Sequence, residues 1–308
     1  MKRYLLTALL TLAALVAAAQ ESKEDFVRRY NNLTGRVGPA GVGVETLLDK
    51  WQAAWPEDPQ QHVARFAFCW TRCQGSTLIQ LDKDRYLGRE PIVPMTDSLG
   101  RKCNWFEDPQ FDDALYAEAN LAIDRAIALD PWRLDYRMAK VDAMIAYEKG
   151  APEMATQELK SLADKHFKEH PVWKYEGLGS VSEDQFKAFL QDYCAALFRL
   201  GTDTSADCFK GLSEHLLKYC KDEPMYLDNL GSYYLVRKDY KKAQKYFDQV
   251  LKKHPEDQAA LRNCILLARS KQDVKLEKKY LAQMAKYGES ETDRKSAQVL
   301  LEALENKR

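Results

Sequence analysis

The sequence predicts an all-α protein built from antiparallel helix hairpins. Leu, Ala, Lys, Glu and Asp are abundant in the 308 residues, whereas Gly and Pro, which interrupt helices, number only 14 and 11. Apolar residues recur at intervals of three and four over long stretches, which is typical of amphipathic helices. Asp-Pro pairs at 58–59, 108–109 and 130–131 precede such stretches. An Asp that caps a helix and a Pro in its first turn are favourable helix starts.

The charge balance argues against a nucleic-acid partner. The chain has 46 basic and 46 acidic residues, so no overall field attracts a polyanion or an anionic membrane. At 45% hydrophobic content the chain can bury a sizeable core. We therefore expect a folded helical protein and no binding to nucleic acid.

The N-terminus has the pattern of a cleaved signal peptide, residues 1–19. Lys2 and Arg3 precede an apolar stretch at 4–16, and three alanines follow at 17–19. The apolar stretch is shorter than the ~20 residues that a membrane-spanning helix needs. No cysteine follows it until Cys69, so no lipid-anchor signal is present there. We expect a bacterial periplasmic or secreted protein that is not inserted in a membrane after cleavage.

The periodic segments predict thirteen helices, arranged as about six hairpins and one final helix. The last helix, 290–306, is highly charged on one side, as expected for a terminal cap that meets water. The predicted hairpins pair 22–34 with 42–55, 60–75 with 110–129, 132–149 with 151–170, 182–200 with 204–221, 224–238 with 240–253, and 256–271 with 273–287.

The clearest hairpin is "LDNLGSYYLVRKDYKKAQKYFDQVLKKHP", residues 227–255. Its first helix contains Gly231, although glycine in a helix costs about 1 kcal/mol relative to alanine. Gly231 and Ala243 are small residues on the facing sides of the two predicted helices. We infer that they allow the two backbones to approach closely.

This hairpin resembles the tetratricopeptide repeat, whose pattern is W-x2-L-G-x2-Y, then A-x3-F, then P, over 34 residues. Leu227 stands where the family has Trp, and the matching residues are Leu230, Gly231, Tyr234, Ala243, Phe247 and Pro255. A half-unit with the spacing of the second helix occurs earlier, at Ala119, Ile123, Ala126 and Pro131. The resemblance implies a right-handed α-solenoid with a concave groove.

Two regions follow from this reading of the sequence. Residues 20–175 are predicted to be a degenerate repeat region with a non-helical insertion near 76–108, and residues 176–308 are predicted to hold the clearer repeats and a capping helix. Within the insertion, "PIVPMTDSLGRKCNW" is consistent with a small β-hairpin, which Pro91 and Pro94 would confine to a sheet edge. The insertion could bind a partner or cover an exposed helix pair.

The resemblance also indicates a binding surface, because first helices of such hairpins line the groove. The predicted groove residues combine apolar side chains with both signs of charge, which suits an extended peptide. They are Asp228, Ser232, Leu235, Arg262, Leu266 and Arg269.

Cysteine usage and motifs indicate little chemistry. Seven cysteines in an exported protein favour some oxidation, and a bridge between Cys73 and Cys103 would attach the insertion to the preceding helix. We expect no catalytic residues, no metal site and no cofactor.

Three function classes remain open. The first is an extracytoplasmic scaffold that binds another protein or an extended peptide. The second is a protein that binds a small ligand or a glycan through aromatic residues such as Trp105 and Trp173. The third is a helical-toroid hydrolase, which would need two carboxylates close together beside a deep pocket.

Overall fold

A computed structural model describes residues 21–306, and within them it confirms the all-α class. Short antiparallel ribbons are the sole sheets in this range: β1 (Gln74–Leu81) with β2 (Asn104–Phe111), and β3 (Lys174–Tyr175) with β4 (Gly179–Ser180). The helices of this range are α1 (Lys23–Val37), α2 (Val44–Ala54), α3 (Pro59–Cys73), α4 (Asp113–Leu129), α5 (Leu134–Glu148), α6 (Glu153–Glu169), α7 (Glu183–Arg199), α8 (Asp203–Leu216), α9 (Pro224–Val236), α10 (Tyr240–Lys253), α11 (Gln258–Ser270), α12 (Val274–Tyr287) and α13 (Glu291–Glu305).

The predicted signal peptide, 1–19, lies outside the described residues. Within 21–306, none of the helices combines the length and the apolar character needed to cross a membrane.

The chain forms two compact units. The first contains the described residues up to Asp84, then Pro91–Tyr147 and Val172–Val181, and the second contains the remainder. The predicted domain boundary at 175/176 does not coincide with this division. The chain passes from the first unit to the second after Tyr147. The predicted pairing of 132–149 with 151–170 is also interrupted there, because α6 packs against α8 within the second unit.

The core of the first unit forms around Trp51 of α2. Its ring stacks on Phe26 of α1, with ring centroids 5.9 Å apart. Its Nε1 donates to Oδ2 of Asp58 at 3.0 Å, and Asp58 caps the start of α3 because its Oδ1 accepts a hydrogen bond from Gln60 N. A buried indole with a satisfied N–H thus connects the first three helices.

The hairpin of α3 and α4 continues this core. In α4, Ala119, Ile123 and Ala126 are at most 1% exposed. The small residues of the predicted half-unit therefore face the packed side of the helix, while Pro131, just beyond the helix, is half-buried. The helices pack together although the insertion separates them in sequence.

The insertion is a β-ribbon that the sequence analysis identified only in part. The predicted small hairpin forms, with backbone hydrogen bonds from Asp97 N to Arg101 O and from Trp105 N to Val93 O. The longer ribbon pairs Gln74 with Phe111 and Leu81 with Asn104. The prediction was wrong at its start, because residues 74 and 75 begin β1 rather than extend α3.

The second unit is a succession of helices that pack on their neighbours in sequence from α7 to α13. The turn between α9 and α10 has Lys238 in the left-handed region, with φ 60°, and Asp239 as the N-cap of α10. One repeat length of 34 residues later, Gln272 has φ 56° and Asp273 caps α12. The two hairpins are thus copies in turn geometry as well as in length.

Gly231 faces the second helix of its hairpin, and its neighbour there is the ring of Phe247. A Cβ added at Gly231 would lie 2.2 Å from Cε1 of that ring. Phe247 itself is fully buried. We expected Ala243 as the closest contact, whereas the structure shows that the glycine makes room for the aromatic ring one turn further along.

We expect Gly231→Ala to lower the free energy of unfolding by roughly 1–3 kcal/mol, because the added methyl overlaps the Phe247 ring. An exposed glycine would behave in the opposite way, since alanine is the better helix former by about 1 kcal/mol. Urea denaturation measures the difference.

The matched control is Gly211→Ala in α8, where a Cβ would meet only the flexible end of Lys160 at 3.2 Å. We expect this variant to be as stable as the wild type or more stable. Equal gains from both substitutions would contradict the packing role of Gly231.

Candidate functional site

The structure brings three of the six predicted groove residues together in one cleft of about 270 Å³ in the second unit. Arg262, Leu266 and Arg269 contribute to it from α11, at spacings that place them on one face of the helix. We name this feature the C-terminal cleft. Its lining residues are Arg262, Ile265, Leu266, Arg269, Leu281, Met284, Asp293, Ser296, Ala297 and Leu300.

The floor of the C-terminal cleft is apolar. Ile265 of α11, Leu281 and Met284 of α12 and Ala297 of α13 are all at most 9% exposed. Leu266 and Leu300 rise from the two sides and are 52% and 43% exposed. These two side chains can bury apolar surface against a ligand at about 25 cal/mol per Å².

Ion pairs within the chain balance the rim charges. An Arg262 guanidinium nitrogen lies 3.5 Å from Asp293 Oδ2, and Arg269 Nε donates to Glu277 Oε1 at 2.6 Å. The rim is therefore polar without a strong net field. Reversing either arginine would place two acidic side chains together, so such a variant changes the fold's own ion pairs as well as the surface.

The α12 and α13 side of this cleft was not predicted from the sequence. The last helix was predicted to be a terminal cap. The one sequence feature that could have indicated a binding surface there is the apolar run "VLL" at 299–301 on an otherwise charged helix. Val299 and Leu300 are exposed, as expected for a surface with an unfilled apolar side.

Most of the residues predicted to pack within the hairpin at 224–257 are buried. Leu227, Leu230, Ala243, Phe247 and the neighbouring Val250 are each at most 8% exposed. The remaining two are half-buried: Tyr234, whose ring stacks on that of Tyr246 with centroids 5.8 Å apart, and Pro255.

Comparison with known families agrees with this geometry. The tetratricopeptide repeat family matches residues 224–257. The chain contains a tetratricopeptide repeat. Together with the hairpins described above, this match supports a helical repeat protein that is similar to the tetratricopeptide type.

A solved structure described as the functional characterisation of Pseudomonas aeruginosa pilF is similar at a TM-score of 0.37 and 11% identity, over 90% of this chain and 96% of that chain. The search of curated proteins found no match.

Two predicted groove residues lie between neighbouring first helices of the repeat region. Asn263 Nδ2 of α11 donates to Asp228 Oδ2 of α9 at 2.9 Å and to Ser232 Oγ at 3.2 Å. Burial raises the pKa of Asp228 to about 7, and the hydrogen bond from Asn263 opposes that shift. This polar contact connects the first helices of successive hairpins and leaves little of the carboxylate for a ligand.

The prediction for Leu235 was wrong. Its side chain is 8% exposed and belongs to the apolar cluster that includes Ala243, Phe247 and Leu261. The apolar face of α9 is wide enough to include position 235. Leu235 therefore stabilises the hairpin and is not part of a binding surface.

The predicted bridge between Cys73 and Cys103 is also wrong. Both thiols are free. Cys73 immediately precedes β1 at one end of the ribbon, and Cys103 immediately precedes β2 at the other end. Eight residues of strand separate the ends by about 25 Å, whereas a disulfide needs Cα atoms within about 7 Å.

The described residues also contain no group of three or more His, Cys, Asp or Glu side chains arranged to hold a metal ion. The buried thiols of Cys69 and Cys73 have pKa values raised to about 11, chiefly by desolvation. Such thiols are poor nucleophiles at neutral pH.

We expect the free energy of unfolding of the Asp228→Asn variant, relative to that of the wild type, to increase as the pH rises. The pKa of Asp228 is about 7 in the folded protein, against an ordinary value of 3.8. Between these values the unfolded chain loses a proton that the folded chain keeps, so the wild type loses stability as the pH increases. The asparagine variant lacks this loss.

Urea denaturation at about pH 5 and about pH 8 tests this, with Asp239→Asn as control. The pKa of Asp239 is lowered, so its carboxylate is ionised in both states over this range. The difference between Asp239→Asn and the wild type should not change between the two pH values. A constant difference for Asp228→Asn would contradict the burial of its carboxyl.

Proposed function

We propose that the protein is an extracytoplasmic scaffold that binds an extended segment of another protein in the C-terminal cleft. Tetratricopeptide-type repeats support a protein-interaction role, since stacked hairpins present extended surfaces to partners. The observation that carries the proposal for this cleft is the pair Leu266 and Leu300, exposed above a buried apolar floor.

The shape and charge of the cleft favour a polypeptide. An apolar floor accepts one or two hydrophobic side chains, and rim groups such as Arg262 and Ser296 can hydrogen-bond the polar backbone of a peptide. The equal numbers of basic and acidic residues in the chain give no reason to invoke a nucleic acid or an anionic membrane.

The aromatic residues named for glycan binding are poorly placed for it. Trp173 is fully buried, and Trp105 is half-buried in the central strand of the ribbon. Sugar stacking requires an exposed ring face, so the scaffold role is the better supported of the two.

We expect a Leu266→Glu variant to lose at least tenfold in affinity for peptides selected from a random peptide library on the wild-type protein. A buried charge at the centre of the contact opposes binding, because its desolvation is not compensated. Fluorescence polarisation with the selected peptides measures the loss.

Leu121→Glu is the matched control, because Leu121 is 72% exposed on α4 in the first unit and lies outside the cleft. It should bind the selected peptides like the wild type. Equal affinities for all three proteins would assign peptide binding to another surface.

The extracytoplasmic setting has a separate test. When the full sequence is expressed in a Gram-negative bacterium, we expect the protein in the periplasmic fraction with Gln20 as its first residue. A charge within the apolar stretch, Leu9→Arg, should leave the uncleaved chain in the cytoplasm. A wild-type chain that keeps Met1 to Gln20 in the cytoplasmic fraction would contradict export.

A further inference from the structure

The β-ribbon of the first unit has one protected edge and one open edge. On the outer side of β2, Trp105 N donates to Val93 O and Trp105 O accepts from Ile92 N. Pro109, which has no N–H, lies further along the same edge. These features are the usual means by which a sheet edge is closed to another strand.

The register identifies the groups on the open edge of β1. Because the backbone groups of Trp105 point away from β1, its partner Gln80 points away from β2. The alternation of an antiparallel pair then directs Gln74, Ser76 and Leu78 outwards as well. Each of the four residues presents one N–H and one C=O, which makes eight backbone groups in one row.

The sequence of β1 does not protect this row. "QGSTLIQL" has no charged residue and no proline, and residues 74–78 are all exposed, with Leu78 at 62%. Natural edge strands usually carry a lysine, a proline or a bulge that prevents pairing. Among the described residues, no backbone hydrogen bond from outside the ribbon reaches the outer edge of β1.

We propose that β1 pairs antiparallel with the β1 strand of a second copy of this chain. The four outward residues are symmetric about Thr77, so a two-fold axis at that residue pairs Gln74 with Gln80 and Ser76 with Leu78 of the other copy. All eight free backbone groups then acquire partners. The result is a continuous four-stranded sheet.

Charge favours a second copy as the occupant. Two uncharged strands place no like charges opposite each other. Asp108, which lies opposite Thr77 on β2, is separated from its own copy by three strand spacings, about 14 Å. That distance exceeds the screening length of about 8 Å at physiological ionic strength. Two such strands bury less than the ~1,600 Å² of a standard interface, so the dimer should be weak and reversible.

Sedimentation equilibrium of the purified protein from low micromolar to several hundred micromolar tests the proposal. The weight-average mass should rise from that of one chain towards that of two. Leu78→Pro removes an outward N–H that β2 does not use, so it should keep the mass of one chain throughout. Leu78→Lys, which keeps every backbone group, should weaken association in the same direction by charge repulsion.

Leu99→Lys is the control, because Leu99 is 75% exposed at the tip of the small hairpin, away from the β1 edge. It should associate like the wild type. Circular dichroism establishes that each variant is folded.

Thr77→Cys gives a direct geometric readout. At the two-fold axis the two Cα atoms of this non-hydrogen-bonded pair would lie about 4.5 Å apart, within disulfide range. Mild oxidation should yield a covalent dimer that the wild type does not form. A wild-type mass of one chain at every concentration, without cross-linking of Thr77→Cys, would overturn self-pairing and leave the edge to a strand of another protein.

Discussion

The close contact between the Phe247 ring and the backbone at Gly231 is the constraint on which the second unit depends. It determines how near α9 and α10 lie, and a side chain of any size at position 231 is incompatible with it. With the two helices at this distance, Leu227, Leu230, Ala243 and Val250 are buried. A glycine that is unfavourable for an isolated helix is thus favourable for the pair, because tertiary packing outweighs intrinsic propensity.

Neighbouring hairpins are joined by contacts of a different kind. The Asn263 amide connects α11 to Asp228 and Ser232 of α9, and the Tyr280 hydroxyl donates to Asp248 Oδ1 at 3.0 Å, which joins α12 to α10. These polar contacts are directional, so they fix the register of one hairpin on the next. The apolar surface between α11, α12 and α13 forms the C-terminal cleft.

The predictability of each feature depends on how local its cause is. Helices and turns follow from periodicity and capping residues within a few positions, so all thirteen predicted helices are present in the described residues, with ends that differ by a few residues. The β1–β2 ribbon depends on pairing across more than twenty residues. The segment "QGSTLIQL" also lacks the strict alternation of apolar and polar residues that would predict a strand. The cleft arises where three helices meet. Arg262, Leu266 and Arg269 could be found from one helix, whereas Leu281, Met284 and Leu300 could not.

The central claim is that each hairpin of the second unit is stabilised by its neighbours, with the Gly231–Phe247 contact at the most stable point. Native-state hydrogen exchange followed by mass spectrometry measures this directly, because protection reports the local free energy of opening. We predict the slowest exchange in α9 and α10, with protection that decreases through α11 and α12 to α13, the last helix of the described residues, which packs mainly against α12. Protection in α13 equal to that in α10, or fast exchange in α9 and α10, would contradict the account.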